Sequence, residues 1–357
     1  MRQGTGTAQV KRWLRYLAFA LALAFLVLTV VNASWLAPEP KGAVKLIAHR
    51  GIHQLPDRAA NGRETCAAGG IEPPVHDYLG NTARSIARAA KLGAHVIAIG
   101  VASTADGEIA VFDGPMVDCR TNGTGKVRDL TMAQLKALDA GYGYTIDGGR
   151  TYPFRGEGVG AIPTLAEAIR AARRARLLYD FTGADPAEAD RLAAALRKAG
   201  RDPVAARDGF RGDPAHVARI AEHFPGAWAF SEESAAACSA AYRTWGWFGL
   251  VPEACENGTL LVPLDRQWTF AGWPNRLIAR MEEAGAHVVI VTPHEDGRLG
   301  GLDLPEQLGE IPASFNGYAM VEDGFTVIPA LINRFDDRSQ AEIDAAQAAL
   351  QRRRESR

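Results

Sequence analysis

Short runs of consecutive apolar residues alternate along the chain with longer stretches in which apolar residues recur every three to four positions. The first pattern predicts buried strands and the second predicts amphipathic helices. The predicted strands are 44–48, 95–103, 109–112, 177–181, 203–206, 227–230, 260–263, 287–292 and 317–321. The predicted helices are 83–94, 131–140, 164–174, 186–200, 214–224, 233–242 and 274–284.

This alternation predicts an α/β fold, because parallel strands need crossover connections that helices supply. About eight repeats between residues 44 and 334 favour closure into a single (β/α)8 TIM barrel over an open sheet. Active sites of such barrels lie at the carboxyl ends of the strands, so the long loop 54–79 after the first strand belongs to that face. The charged, alanine-rich tail 335–357 is predicted to be a surface helix or a frayed end.

The N-terminus carries an uncharged apolar run over residues 16–31 that continues to residue 37. Its length suits a membrane-spanning helix, and the basic residues before it place the N-terminus inside the cell. Residues 1–37 are therefore predicted as a cytoplasmic stub and anchor helix, followed by a linker at 38–43. Small residues near Ser34 resemble a cleavage site, so a removed signal peptide is the alternative. Either reading places the barrel on the periplasmic or extracellular side.

Composition narrows the function classes. The 357 residues are 47% hydrophobic, which excludes a disordered chain. The 40 Lys and Arg residues balance 41 Asp and Glu residues, giving a net charge of -1. No overall positive field exists to collect nucleic acid, so nucleic-acid binding is not expected and a charged ligand needs a local site.

Four cysteines are consistent with an exported protein, in which thiols tend to pair. Cys238 and Cys255 close a short loop and form the favoured pair, which leaves Cys66 with Cys119. Sequence alone permits three connectivities, and unpaired thiols are the alternative. Zinc binding by these cysteines is not expected, because no pair has ligand spacing and no histidine stands near them.

The strand ends offer a small set of reactive side chains. His49 and Arg50 close the first strand, where an imidazole can exchange a proton and a guanidinium can clamp phosphate oxygens. Together they suggest a phosphate ester as ligand. Asp113 follows the strand at 109–112, and Asp180 lies inside the apolar strand at 177–181, where a carboxylate needs a partner. Asp180 is therefore a candidate metal ligand.

An ordered series of short motifs runs through the first half of the chain. They are the segments 46–51 (LIAHRG), 81–82 (NT), 92–94 (LGA), 104–107 (TADG), 118–123 (DCRTNG), 135–144 (LKALDAGYGY) and 162–165 (IPTL). In this series the chain resembles the glycerophosphodiester phosphodiesterase family, closely over residues 44–185 and loosely beyond. The resemblance implies a TIM barrel in which two histidines act on a phosphodiester while Ca²⁺ or Mg²⁺ binds the phosphate.

Most of the functional positions of that family are altered in this chain. The family's glutamate before Asn-Thr falls on Gly80, and its Glu-x-Asp on the second strand falls on Ala98 and Gly100. Its His-Asp pair falls on Asp113 and Gly114, and its Glu-x-Lys on the third strand falls on Asp180 and Thr182. A cation site without most of its carboxylates loses affinity steeply, and the loss of a general acid or base alone costs about 10²–10⁴ in rate.

The leading hypothesis is therefore a catalytically impaired member of the family, exported and membrane-tethered, that binds a phosphodiester or a protein partner. The first alternative is an active phosphodiesterase that converts glycerophosphodiesters to an alcohol and glycerol 3-phosphate. In that case His49 is nucleophile or base, Arg50 clamps the phosphate, and Asp113 and Asp180 serve as replacement acid or Ca²⁺ or Mg²⁺ ligands.

The second alternative is a non-catalytic barrel scaffold whose interactions run through the loop 54–79 or the tail. Two further histidines, His53 and His76, follow the first strand, and the sequence leaves open whether either bends back to rebuild the site.

Overall fold

Ten strands are present in the part of the chain that the computed structural model describes, residues 5–57, 66, 68–293 and 299–355. They are β1 Lys45–His49, β2 Val96–Ser103, β3 Ile109–Val111, β4 Arg176–Phe181, β5 Gly209–Arg211, β6 Trp228–Phe230, β7 Thr259–Pro263, β8 His287–Pro293, β9 Leu299–Gly300 and β10 Tyr318–Val321. Eight of them are parallel in the order β6-β5-β4-β2-β1-β10-β8-β7, while β3 and β9 pair antiparallel with β2 and β8.

The two ends of this order meet, because the indole nitrogen of Trp228 on β6 donates to the hydroxyl of Thr259 on β7 at 2.9 Å. The strands thus form a nearly closed barrel, which confirms the predicted (β/α)8 fold. The helices of the described residues are α1 Thr5–Val31, α2 Ala83–Leu92, α3 Met132–Ala137, α4 Leu165–Ala172, α5 Glu188–Lys198, α6 Pro203–Ala206, α7 Pro214–His223, α8 Glu232–Trp245, α9 Asn275–Glu283, α10 Gly324–Leu331 and α11 Gln340–Glu355.

Side chains alternate between the barrel interior and the helix layer, as the two-residue period of a strand requires. On β2, Val96 and Ala98 belong to the interior cluster, whereas Ile97 and Ile99 pack against helices. On β4, Leu178 belongs to the interior cluster. Asp180 lies two residues further along the same strand, so its side chain also points into the barrel near the mouth.

One predicted strand is wrong. Residues Pro203–Ala206 form the short helix α6, and the strand of that repeat is β5, which begins three residues later. Asp202 caps the helix by accepting from the backbone nitrogens of Val204 and Ala205, and proline at the first helical position favours this start. The Asp-Pro pair was the available sequence signal.

Two helices near the C-terminus differ from the expectation. Helix α10 was not predicted, because it is apolar nearly all round and shows no helical period. The tail does form a helix, but α11 packs on the barrel through buried Ala349 and Leu350. Arg353 of this helix pairs with Asp323 at 2.5 Å and with Glu72 at 2.7 Å.

Two disulfide bonds are present, Cys66–Cys119 and Cys238–Cys255. The first joins the loop after β1 to the segment after β3, so it ties together two loops on the same side of the mouth. Part of the loop predicted at 54–79 lies outside the described residues.

Candidate functional site

A tight turn at the end of β1 positions the two residues predicted to contact phosphate. Arg50 has a φ of 58°, a left-handed conformation that is uncommon for a residue with a side chain. Its backbone nitrogen donates to the Ala98 carbonyl at 2.9 Å, and its carbonyl accepts from the Asn81 nitrogen at 3.0 Å. A Cβ at Gly51 would lie 2.4 Å from the Ser85 hydroxyl oxygen, so the turn requires glycine there. Strain held by neighbouring structure is common at functional sites.

One carboxylate bridges two histidines on the β1/β10 side of the mouth. Nδ1 of His49 lies 2.9 Å from Oε2 of Glu322, and Nε2 of His53 lies 3.1 Å from Oε1 of the same carboxylate. Glu322 directly follows β10, which pairs with β1. This neighbouring position explains why the three side chains converge.

Burial and mutual contact shift the pKa values of Glu322 and His53 in this cluster. Burial opposes ionisation of Glu322, but His49 and His53 hold the pKa of its carboxyl well below the ordinary value. Burial lowers the pKa of His53, against the opposing effect of Glu322. Because Nδ1 of His49 faces Glu322, its Nε2 is the nitrogen left for a ligand at the mouth. Among the described residues, none forms a hydrogen bond with that nitrogen.

Asp113 lies between two guanidinium groups. Nε of Arg50 is 2.9 Å from Oδ2 of Asp113, and Arg120 donates to the same oxygen. Burial opposes its ionisation, but Arg50 and Arg120 together hold the pKa of Asp113 well below the ordinary value. Asp113 is therefore an anion engaged by arginines, and it has no proton to give as an acid near pH 7. The terminal nitrogens of Arg50 make no hydrogen bond within the described part of the chain.

Asp180, the candidate metal ligand, pairs with Arg211 on the adjacent strand. Their positions are in register between β4 and β5, and Nε of Arg211 donates to Oδ1 of Asp180 at 3.0 Å while Nη2 donates to Oδ2. Burial opposes the charge of Arg211, but Asp180 raises the pKa of the guanidinium. Both carboxylate oxygens are used in this two-point contact.

Gly100 also lacks room for a longer side chain. A Cβ at Gly100 would lie 2.4 Å from the Phe112 carbonyl oxygen, where β3 folds against β2. Thr182 donates its hydroxyl to the Val101 carbonyl at 3.2 Å, so it does not reach the mouth as a lysine would. The donor set at these positions therefore does not fit Ca²⁺ or Mg²⁺, which require several oxygen ligands.

The sequence does not decide whether His53 or His76 contributes to the site, and in the structure His53 lies in it while His76 does not. A Cβ at Gly80 would lie 2.8 Å from Cβ of His53, so the glycine at the altered position makes the space that His53 occupies. His76 stays outside the site: its Nδ1 accepts from Gln54 at 3.1 Å and from the Tyr78 nitrogen at 3.2 Å. Burial lowers the pKa of His76 to about 4.

Glu322 was missed from the sequence. The available signal was its position, because an acidic residue directly after the last predicted barrel strand reaches the mouth.

Comparison with known proteins finds a family model and relatives that resemble part of the chain. Residues 74–201 match the model of the glycerophosphoryl diester phosphodiesterase family. A glycerophosphodiester phosphodiesterase of Caldanaerobacter subterraneus is 41% identical over 89 residues, 25% of this chain and 33% of that protein. One from Bacillus subtilis is 31% identical over 157 residues, 42% of this chain and 50% of that protein. The chain thus matches between a third and a half of the length of these relatives.

Solved structures extend the likeness to the whole barrel. A phosphodiesterase from Oleispira antarctica, in complex with the product sn-glycerol-3-phosphate, has a TM-score of 0.52 at 17% identity and covers 81% of this chain and 97% of that chain. A glycerophosphodiester phosphodiesterase from Agrobacterium tumefaciens has a TM-score of 0.51 at 18% identity and covers 82% of this chain and 99% of that chain. At such identities the likeness shows the fold.

Proposed function

We propose that this chain, whose residues 74–201 match the model of the glycerophosphoryl diester phosphodiesterase family, binds a phosphodiester at the barrel mouth without calcium- or magnesium-dependent hydrolysis. One observation carries the proposal. Both carboxylates at altered family positions, Asp113 and Asp180, are engaged by arginines. A dication at either carboxylate would have to compete with the guanidinium that already engages it.

The same side chains suit an anion. Arg50 and Arg120 share the single carboxylate of Asp113, so this part of the mouth has more positive than negative charge. The terminal nitrogens of Arg50 supply parallel donors of the kind that bind phosphate at two points. His49 adjoins this guanidinium in sequence, and its Nε2 adds a donor or acceptor. The complex of the Oleispira antarctica neighbour with sn-glycerol-3-phosphate supports a ligand of this class.

A second candidate function is hydrolysis by a rearranged site, which the contact between His49 and Glu322 favours. A carboxylate on Nδ1 fixes the tautomer of an imidazole and strengthens its Nε2 as a base. His49 would then take a proton from the attacking water as the P–O bond to the leaving alcohol breaks, and the proton would pass from the imidazole to that alcohol while Arg50 holds the phosphate.

Calorimetry and product analysis on the same protein separate these functions. The full-length chain in detergent is mixed with glycerophosphocholine in the presence of Ca²⁺, Mg²⁺ or EDTA. We expect binding in all three conditions and no product. Arg50→Ala should weaken binding about 10- to 100-fold, because a charged hydrogen-bonding group is lost.

Arg243→Ala, at an exposed arginine of α8, is the matched control and should bind normally. Metal-dependent product that disappears in His49→Ala would contradict the main proposal. Product in EDTA that disappears in this variant would establish the second candidate. A folded protein that neither binds nor hydrolyses the diester would contradict both.

We further propose that the barrel is held outside the cytoplasm by a retained N-terminal helix. Within the described residues, Gln9–Val31 is the one segment long and apolar enough to cross a membrane, and its apolar stretch is not buried against the barrel. Its end is fastened to the barrel: Arg280 donates to the Val31 carbonyl and to the Asn32 side chain, each at 3.0 Å. Asn32 in turn donates to the Trp247 carbonyl at 2.7 Å.

Exposed aromatic residues surround this junction. Trp35 is 77% exposed and Phe248 is 59% exposed. Aromatic side chains of this kind are enriched where a protein meets the surface of a bilayer. Anchoring therefore explains both the apolar helix and the aromatic residues at its end.

Membrane fractionation tests the anchor. Expressed protein should stay in membranes after alkaline extraction, with an N-terminus upstream of the apolar helix by mass spectrometry. An alkaline phosphatase reporter fused after residue 357 should be active, as expected for an exported C-terminus. A chain that begins near Ser34 and is released by alkaline extraction would show that the helix is a cleaved signal, and an inactive reporter would contradict export.

A further inference from the structure

We propose that His49, His53 and Glu322 form a binding site for a transition-metal dication of the zinc type. This site differs in position and donor chemistry from the oxygen-rich calcium or magnesium site that the family resemblance implies. It goes beyond the proposed phosphodiester binding, which needs no metal, so either proposal can fail while the other holds.

The geometry of the three side chains supports the site. They come from the end of β1, from the loop that follows it, and from the residue after β10. One ligand atom from each lies within 4.8 Å of the others, and the two closest contacts are 2.9 and 3.1 Å. Zinc ligands lie about 2.0–2.2 Å from the metal, which places tetrahedral ligands about 3.3 Å apart, within this range.

The charge around Glu322 distinguishes it from the other two acids at the mouth. Asp113 and Asp180 each face arginine, whereas the ion-pair partners of Glu322 in the described part of the chain are the two imidazoles alone. The Glu322 side chain is only 15% exposed and that of His53 only 3% exposed. A buried carboxylate is stabilised by a paired cation or a bound metal, and here no arginine or lysine among the described residues fills that role.

The donor set selects the metal. Two imidazoles and one carboxylate are a ligand set of catalytic zinc sites, whereas calcium and magnesium prefer oxygen ligands throughout. Three protein ligands leave a fourth position for water or for an oxygen of a bound phosphate. The His49 side chain is 19% exposed, so that position is reachable from the mouth.

Metal binding is measured on the full-length chain in detergent, prepared without a polyhistidine tag and stripped with a chelator. Dialysis against Zn²⁺ and elemental analysis should give one equivalent per chain, and Co²⁺ should give the visible absorption of a four- or five-coordinate site. Excess Ca²⁺ or Mg²⁺ should not displace either ion. His53→Gln and Glu322→Gln should each weaken Zn²⁺ binding at least 10-fold, since even outer-shell changes cost about 10- to 100-fold.

Two matched controls should bind Zn²⁺ like the parent chain. His223→Gln removes a histidine at the surface, and Asp180→Asn removes the acid on the opposite side of the mouth. Absence of stoichiometric zinc, or equal zinc in His53→Gln, would overturn the proposal. So would loss of zinc in Asp180→Asn.

If His53→Gln or Glu322→Gln loses its native circular dichroism, the variant is unfolded and cannot test the site. X-ray absorption at the zinc edge of the zinc-loaded parent chain then tests it instead. Scattering from two imidazoles at about 2.0–2.1 Å supports the site, and its absence contradicts it. Arg50→Ala should weaken phosphodiester binding about 10- to 100-fold and keep zinc, so failure of one proposal is visible apart from failure of the other.

Discussion

The two sides of the barrel mouth treat their acidic side chains in opposite ways. On the β2/β4 side, Asp113 and Asp180 are each engaged by arginines of the same chain. On the β1/β10 side, the ion-pair partners of Glu322 among the described residues are the imidazoles of His49 and His53. A guanidinium neutralises a carboxylate permanently, whereas an imidazole can give way to a metal or to a substrate proton. The metal and proton chemistry that we propose for this chain therefore belongs to the β1/β10 side.

The packing around the two sides of the mouth differs in the same sense as their charges. On the β2/β4 side the hairpin of β2 and β3 closes over Gly100, with the Phe112 carbonyl against its Cα. On the β1/β10 side the glycine at position 80 opens space, and His53 fills it. The absence of a side chain at Gly80 and the position of His53 are thus linked by volume.

The largest expected effect comes from adding a side chain at Gly100. Gly100→Ala places a Cβ 2.4 Å from the Phe112 carbonyl oxygen, a backbone atom that cannot move without shifting β3. We expect a loss of about 3 kcal/mol in the free energy of unfolding, the upper range for an overpacked core site. Urea unfolding followed by tryptophan fluorescence measures it.

Gly309→Ala is the control for this substitution, because nothing lies within 4 Å of a Cβ there. It should change the free energy of unfolding by less than about 0.5 kcal/mol. If Gly100→Ala is as stable as this control, the β2/β4 side has room for a cation ligand and the contrast between the two sides fails.

The barrel itself could be predicted because its signal repeats. Each strand and helix carries its own period, and an error in one repeat, such as 203–206, leaves the others intact. The type and bounds of a single element are harder to predict, since the four residues of α6 are apolar enough to resemble a strand. Only the Asp202-Pro203 start distinguishes them.

The site was predictable only in part, for a physical reason. His49 and Arg50 are adjacent to a strand end, and their location follows from the strand alone. Glu322 is 273 residues from His49, and its contact depends on the pairing of β10 with β1, which closes the barrel. The arginine partners of Asp113 and Asp180 likewise come from other segments, so the sequence showed candidate acids without showing that they are neutralised.

A smaller loss in the free energy of unfolding is expected when Asp113, the acid that pairs with Arg50 and Arg120, is replaced. Asp113→Asn leaves Arg50 and Arg120 facing each other without an anion between them. Breaking a buried pair costs about 3–5 kcal/mol, and partial exposure here reduces the expected loss to about 2 kcal/mol. Asp129→Asn, at an exposed acid, should cost less than about 0.5 kcal/mol.

The pH dependence of that loss identifies its cause. Because the arginines lower the pKa of Asp113 in the folded chain, the stabilisation is complete above the unfolded value of about 3.9 and is lost as pH falls through the lower folded value. The difference in unfolding free energy between the parent chain and Asp113→Asn should therefore be constant from about pH 7 to 5 and shrink at about pH 3.

Phosphodiester affinity should rise in this variant, because Arg50 is released from Asp113. A stable variant with weaker ligand binding would instead make Asp113 part of the binding site itself, and the β2/β4 side would then share the chemistry assigned to the other.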